Sequence, residues 1–254
     1  MASTTDLTST NTIKNKSSVS EKGHARTLAD GQLLINYASQ LGGEYNPSNS
    51  KILISNLQNL LSNSQSIHQN ALNLVPAYSL AVTNREQIFA PKNKKAPLLK
   101  KALKATENVT PAMLDDFATL TRKYAGQRKK AINPNSEDTN THSVAQLSYD
   151  QKTNNYHQLA VFLQNVPNYN PNEVAYKVVT LLVEKNEMLA ATQQVSNSYI
   201  PLTAARAERN NVMYLNPDGM VEIFAIAKNY ILSVVPKTSP IYKAVVKLKF
   251  SKNY

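Results

Sequence analysis

Tyr45-Asn46-Pro47 recurs as Tyr169-Asn170-Pro171, an offset of 124 residues. The same offset carries Leu57 onto Leu181, Ala81 onto Ala205, Arg85 onto Arg209, Ile88 onto Val212 and Phe89 onto Met213. Tyr78 falls near Tyr199 and Leu202, and no gap is needed between residues 45 and 103. Self-similarity at a fixed period means two copies of one supersecondary unit, each about the size of a small domain. Whatever one copy folds into, the other is expected to fold into as well.

The pattern inside each copy is helical. Leu53, Leu57, Leu60, Ser64, Ile67, Ala71, Leu74, Tyr78, Ala81, Arg85 and Ile88 step by four and three. So do Val174, Val178, Leu181, Lys185, Met188, Thr192, Val195, Tyr199, Leu202, Arg206, Arg209 and Met213. A 3.5-residue spacing lays a seam along one helix face and asks for a partner helix. Ser64, Lys185 and Thr192 make the seam impure, which fits an antiparallel bundle. The Tyr-Asn-Pro elements are expected to open these long helices, with Asn46 and Asn170 as caps and Pro47 and Pro171 in the first turn. Pro76 and Pro201 predict a kink in each.

A shorter helix precedes each long one, near residues 24–41 and 147–165. Gly42-Gly43 closes the first, and the second stops before Val166-Pro167. Two more helices follow in each copy. They are predicted at 97–107 and from Thr110-Pro111 on, then at 217–234 and from Ser239-Pro240 on. Met113, Phe117, Leu120 and Tyr124 form one apolar stripe. AVVKLKF, residues 244–250, alternates in a way that also suits a short strand. The expected fold is all-α: two tandem antiparallel helical-bundle repeats, elongated, with long kinked helices. The expected division is a disordered tail at 1–22, repeat 1 at 23–130, a polar linker at 131–147 and repeat 2 at 148–254.

Composition narrows the chemistry. There is no Cys, which removes disulfides, thiol catalysis and thiolate metal sites. Six Gly in 254 residues leave little material for a phosphate loop, and no nucleophile-elbow or zinc-protease motif occurs. His24, His68, His142 and His157 are not spaced as ligands, and Glu184 with Glu187 lacks the Glu-x-x-His partner of a di-iron bundle. His68 is expected to pack at the bundle edge, and the glutamates are expected on a solvated face. Arg85 and Arg209, equivalent seam arginines, are expected to snorkel or to pair with a carboxylate on the facing helix. No enzyme activity, metal or cofactor is expected. No apolar run approaches the ~18 residues of a membrane span and the N-terminus lacks a secretory apolar core, so the expected location is cytoplasmic.

Charge is the feature that suggests a partner. The formal net charge is +11. Between Lys92 and Lys130 stand Lys92, Lys94, Lys95, Lys100, Lys101, Lys104, Arg122, Lys123, Arg128, Lys129 and Lys130, against Glu107, Asp115 and Asp116. A second cluster, with Lys243, Lys247, Lys249 and Lys252, closes the chain. Such clusters provide salt-sensitive, sequence-blind contact with a phosphate backbone. The leading expectation is a non-enzymatic structural or protein-interaction protein that self-associates through its long helices. The alternative is a basic nucleic-acid-associated protein that uses these candidate contacts.

Phe89, Pro97-Leu98, Lys101-Ala102-Leu103 and the run Arg122-Lys123-Tyr124-Ala125-Gly126-Gln127-Arg128 follow one another in a fixed order. In that order residues 84–130 resemble an uncharacterised family of bacterial helical proteins. There an F-x-P-L segment, a short NAL-x-A helix and an R-K-x-x-G-K-R close succeed each other. The start of the second long helix is also similar, and the likeness extends over most of residues 24–254. The lysine-rich insert from Lys92 to Lys95 departs from the more apolar family pattern. The resemblance implies an all-helical tandem unit and no particular activity.

Overall fold

The computed structural model describes residues 23–127 and 148–251. Every regular element among the described residues is helical: α1 (His24–Gln40), α2 (Ile54–Lys104), α3 (Pro111–Ala125), α4 (Tyr149–Gln164), α5 (Val178–Asn210), α6 (Met220–Val234) and α7 (Pro240–Lys247). Short 3-10 turns occupy Gly42–Glu44, Ser50–Ile52 and Val174–Tyr176, and a π-helical turn, Asn211–Leu215, continues from α5. The all-α class stands. The predicted tail and linker lie outside the described residues.

Local chemistry sets most helix ends. The Thr110 hydroxyl accepts from Met113 N–H and the Ser239 hydroxyl from Ile241 N–H, with Pro111 and Pro240 opening the first turns of α3 and α7. Helix α3 stops at Gly126, whose φ of 65° favours a residue without Cβ. The Tyr-Asn-Pro elements do not start the long helices, contrary to expectation. Residues 45–47 and 169–171 are irregular. The Tyr45 hydroxyl donates to the Ile52 carbonyl (2.6 Å), and the Tyr169 hydroxyl donates to the Tyr176 carbonyl (3.0 Å). Each tyrosine thereby clamps a 3-10 turn, and the long helices begin only at Ile54 and Val178.

Two further expectations are corrected. Residues 97–107 do not form a separate helix, because α2 runs on to Lys104 through Pro76, Pro91 and Pro97. Each proline leaves unbonded the carbonyl four residues before it. Those residues are Leu72, Gln87 and Asn93; all are exposed, as are the prolines, so water reaches the freed carbonyls and the helix tolerates the loss. The same holds for Pro201 in α5, where Asn197 is exposed. The alternating stretch 244–250 is not a strand. Its first part completes α7, whose apolar side buries Val245, and Leu248 follows as an extended residue packed into the core.

The described chain divides into two compact units that cut across the two halves of the sequence. One unit joins residues up to Asn70 with those from Arg206 onward, and the other is Ala71–Ala205. The first core packs Leu34 and Ile35 of α1 and Leu57 and Leu61 of α2 with Met213, Phe224 and Ile231 from the far end of the chain. The second packs Phe89, Leu99 and Leu103 of α2 and Phe117 of α3 with Leu159 and Leu163 of α4 and Leu181 of α5. The units therefore do not follow a contiguous division into 23–130 and 148–254. Each fully buried Leu or Phe contributes ~1.5–3 kcal/mol of transfer free energy, so neither half of the sequence holds its own core.

Burial nevertheless keeps the sequence register. At offset 124, Leu57/Leu181, Ser64/Met188, Ala71/Val195, Phe89/Met213, Ala96/Met220, Leu99/Ile223 and Leu103/Ala227 are buried at both members. At offset 125, the buried positions of α1 (Leu28, Asp30, Gly31, Leu34, Ile35, Ala38) fall on those of α4 (Thr153, Asn155, Tyr156, Leu159, Ala160, Leu163).

Candidate functional site

The basic cluster is not one surface. Lys92 is buried and pairs with Glu187 at 3.6 Å. The Lys95 ammonium donates to Glu184 Oε1 at 2.6 Å and to the Ala175 carbonyl at 3.1 Å. These two lysines tie α2 to α5 inside one unit and are consumed there. Lys94, Lys100, Lys101, Lys104 and Lys123 are exposed, and Arg122 is half-buried and donates to Thr119 Oγ1 at 2.9 Å. Lys243, Lys247 and Lys249 are exposed in the other unit. Arg128, Lys129, Lys130 and Lys252 lie outside the described residues.

Glu184 is not on a solvated face. Its carboxylate accepts from Lys95 and, at 2.6 Å, from the Tyr156 hydroxyl. Burial, then the hydrogen bond to Glu184, pushes the Tyr156 phenol far up. The Tyr124 ring lies 5.6 Å from Tyr156, and its buried hydroxyl has no hydrogen-bond partner. Burial and the Glu184 charge raise that phenol too. Ionisation of either ring would put a second negative charge beside Glu184, so both stay protonated and the cluster acts as a structural clasp. Sequence spacing could not reveal it, because its members come from α2, α3, α4 and α5.

Arg85 does not pair with a carboxylate either. Its guanidinium lies over the Tyr149 ring at 3.7 Å from the centroid, a cation–π contact. Arg209, its counterpart at offset 124, donates twice to Asn210 Oδ1 (3.2 and 3.0 Å). Close by is a cluster that ligand-type spacing did not detect. The His24 and His68 rings lie 5.6 Å apart, and His24 Nδ1 is 2.7 Å from the Tyr214 hydroxyl. Burial first, then the Arg209 charge and then His68 lower the His24 pKa to about 4. His68 is lowered by burial and by Arg209. Both imidazoles are thus neutral at pH 7. Among the described residues no group of three or more His, Cys, Asp and Glu is arranged to hold a metal ion, and Arg209 disfavours a cation at this pair.

An open groove of about 780 Å³ lies beside the end of α2, lined by Leu98, Lys101, Thr106, Asn170, Glu173 and Tyr176 among others. Its polar lining includes three exposed asparagines, one lysine and two exposed glutamates, and none of the lining residues is a buried polar group that could orient a ligand.

The most distinctive surface carries no charge. No Asp, Glu, Lys or Arg falls between Lys51 and Arg85, nor between Glu187 and Arg206. At the chain-wide 18% charged, runs of this length would carry several. Residues 71–84 of α2 and 188–205 of α5 belong to the same unit. They run antiparallel, because Tyr78 stacks on Tyr199 at 5.5 Å while Lys92 meets Glu187 and Lys95 meets Glu184. Ala71, Ala81, Val195, Leu202 and Ala205 are buried here yet belong to neither core cluster. Outward, Leu80 is 70% exposed, Ile200 66%, Tyr199 49% and Leu72 46%. An exposed groove of about 440 Å³ runs over Ala77, Leu80, Asn84, Gln87 and Gln194.

No family model matches the chain, and no match was found among curated proteins or solved structures. No helix among the described residues is long and apolar enough to cross a membrane.

Proposed function

We propose that this chain is a non-enzymatic scaffold or protein-interaction protein. It is built from two copies of a helical unit whose second halves are exchanged between the two compact bodies. What supports the duplication is the shared burial register at 124 and 125 residues. What carries the functional reading is the charge-free α2–α5 surface. Large apolar side chains left exposed on helices that carry no charge, such as Leu80 beside its groove, are what such a site offers a partner. The amphipathic seams and the clasp at Glu184 hold two long helices in fixed register and so present this surface rigidly.

Footprinting by a carbene label, on the purified protein and in native extract, tests the reading. Protection in extract is expected at Leu72, Leu80 and Ile200. Equal labelling in both settings would remove the interaction role from this face.

A second reading uses the exposed lysines. Lys94, Lys101 and Lys104 fall on one side of the end of α2, at the i, i+7 and i+10 positions, and among the described residues none has a carboxylate partner within ion-pair distance. A duplex-binding role predicts affinity that falls with salt at a log–log slope of about −0.9 per phosphate contact. Lys101→Glu together with Lys104→Glu should then abolish retention on DNA. Retention unchanged by both substitutions would discard this reading.

A further inference from the structure

We infer that His24, His68 and Arg209 form a binding site for a phosphate-type oxyanion, either inorganic phosphate or the terminal phosphate of a small molecule. The inference is independent of the charge-free α2–α5 surface.

The site is assembled inside one unit, from residues up to Asn70 and from Arg206 onward. His24 opens α1, His68 stands in α2 and Arg209 in the last turn of α5. The two imidazoles are 5.6 Å apart, and Tyr214 on the π turn holds His24 Nδ1 at 2.7 Å. His24, His68 and Arg209 are half-buried, so solvent reaches them.

Donors collect here without an acceptor. A guanidinium has five N–H groups. Those of Arg209 Nε and Nη2 go to one amide oxygen, Asn210 Oδ1, and among the described residues no carboxylate lies within ion-pair distance. His68 Nδ1 is buried without a hydrogen-bond partner. With the Tyr214 hydroxyl donating to Nδ1, neutral His24 carries its proton on Nε2, which leaves a second imidazole donor. Gly23 supplies no side-chain cap and no acidic residue stands in the first turn of α1, so the helix start adds its partial positive charge.

The charges that act on these groups come without a negative partner. Arg209 acts on both imidazoles, His68 on His24, and Arg206 and Tyr214 on Arg209; no carboxylate is among them. Arg26 is already paired with Asp30 at 2.9 Å. A cation withdrawn from water is ordinarily paired, and here the chain supplies no anion for it. Donors from α1, α2 and α5 outnumber the two oxygens of a carboxylate and match the three acceptor oxygens of a phosphate group.

The other unit shows the same slot without the site. Tyr149 stands where His24 does at offset 125, and Arg85 and Thr192 stand where Arg209 and His68 do at offset 124. There the guanidinium lies over the ring and the Thr192 hydroxyl donates to the Met188 carbonyl. Packing is met by that arrangement, so the two imidazoles and the unpaired arginine are chemistry beyond packing. The π turn Asn211–Leu215 is particular to this side as well, since residues 87–91 continue as α-helix. Single π turns in helical runs concentrate at functional sites.

Nuclear magnetic resonance of the imidazole Cε1–Hε1 signals of the full chain tests this, with inorganic phosphate or glycerol phosphate added at constant ionic strength. The His24 and His68 signals should shift saturably, with a Kd near ~1 mM. The titration midpoint of His24 should rise from about 4, because a bound anion offsets the Arg209 charge. Arg209→Gln should weaken binding at least ~10-fold through loss of a charge-assisted contact. His68→Gln should weaken it as well, and Arg85→Gln should leave it unchanged. Tighter binding of the glycerol ester identifies an esterified ligand, and equal or weaker binding identifies free phosphate. No saturable shift with either probe up to ~20 mM overturns the inference. So does binding that survives Arg209→Gln, or that is lost equally in Arg85→Gln. If Arg209→Gln lowers the helical signal in circular dichroism, His68→Gln decides, and undiminished binding in that variant overturns the assignment.

Discussion

In one unit the Arg85 guanidinium lies over the ring of Tyr149, the first residue of α4. In the other, Arg209 stands 124 residues further on, and its charge acts on His24, the first residue of α1 and the counterpart of Tyr149 at offset 125. The same slot holds an arginine and an aromatic ring in both cases. Only the imidazole of His24 can take up a proton, and burial with the Arg209 charge lowers its pKa to about 4. Nearby, Thr192 occupies the place of His68 and donates its hydroxyl to the Met188 carbonyl at 3.0 Å. One unit thus carries a cation–π contact and the other a pair of imidazoles held uncharged beside a guanidinium. Positions buried alike do not thereby share electrostatics.

The cores differ in the same instructive way. A Cβ on Gly31 would stand 2.6 Å from Met220 Cε, so the glycine leaves the room that Met220 fills. The corresponding positions in the other unit are Tyr156 and Ala96, both buried in its core. Large and small have traded places while the layer remains full, as close packing demands. Polar anchors trade too. Asp30 Oδ2 accepts from Lys249 N–H at 3.0 Å, whereas Asn155 Nδ2 donates to the Lys123 carbonyl at 3.2 Å. The first ties α1 to the backbone just after α7, the second ties α4 to the backbone of α3.

The strongest way to break the comparison is to separate the halves. Fragments 1–135 and 136–254 each hold only part of two cores. Neither should melt cooperatively alone by circular dichroism, and an equimolar mixture should recover the helical signal of the intact chain. A half that melts cooperatively on its own would show that exchange between halves is not needed.

Next in size are core changes at paired positions. Leu34→Ala and Leu159→Ala each remove a fully buried leucine and should cost ~2–5 kcal/mol in urea unfolding. Two different midpoints affected separately would sharpen the division into units. Equal loss in a single transition would mean that the units unfold together.

A smaller effect is expected from overfilling. Gly31→Leu should destabilise by ~1–3 kcal/mol, and adding Met220→Ala should recover part of the loss, since it recreates the large-small order of the other unit. Additive losses would show that the two residues do not share space.

The smallest effect concerns pH. His24 binds a proton near 6.5 when unfolded and only near pH 4 when folded. Between those values the unfolded chain holds more protons, so stability present above pH 6.5 is lost as pH falls through about 4. His68, lowered in the same direction, adds to the effect. His24→Tyr, which copies the ring at Tyr149, should reduce the loss of stability between pH 6.5 and pH 4.5 while leaving stability at pH 7.5 nearly unchanged. An identical pH profile for the variant and the parent would remove His24 from the account.

Much of the fold is legible along the chain. The caps at Thr110 and Ser239, the apolar stripe through Phe117 and Tyr124, and the seams through Leu57 and Leu181 are local or periodic signals. They survive because capping and amphipathic burial depend on residues within a few turns. The prolines mislead because an exposed proline whose freed carbonyl reaches water does not end a helix. The Tyr-Asn-Pro elements mislead because their tyrosine hydroxyls close 3-10 turns, a contact that no helix-start rule contains.

Of the candidate contacts, Lys92 and Lys95 read as surface lysines in the sequence and emerge as internal ion pairs. Nothing near them in the chain announces Glu184 or Glu187, which stand about ninety residues away.

The chain by itself determines that it is helical and where most helices end. It does not determine which seam meets which. Leu57 and Leu181, and Leu99 and Ile223, are apolar and buried alike, so the apolar pattern does not choose a partner. Only the tertiary structure decides that each core draws on both halves of the sequence. That decision also places His24 beside Arg209 and leaves an uncharged pair of helices facing outward.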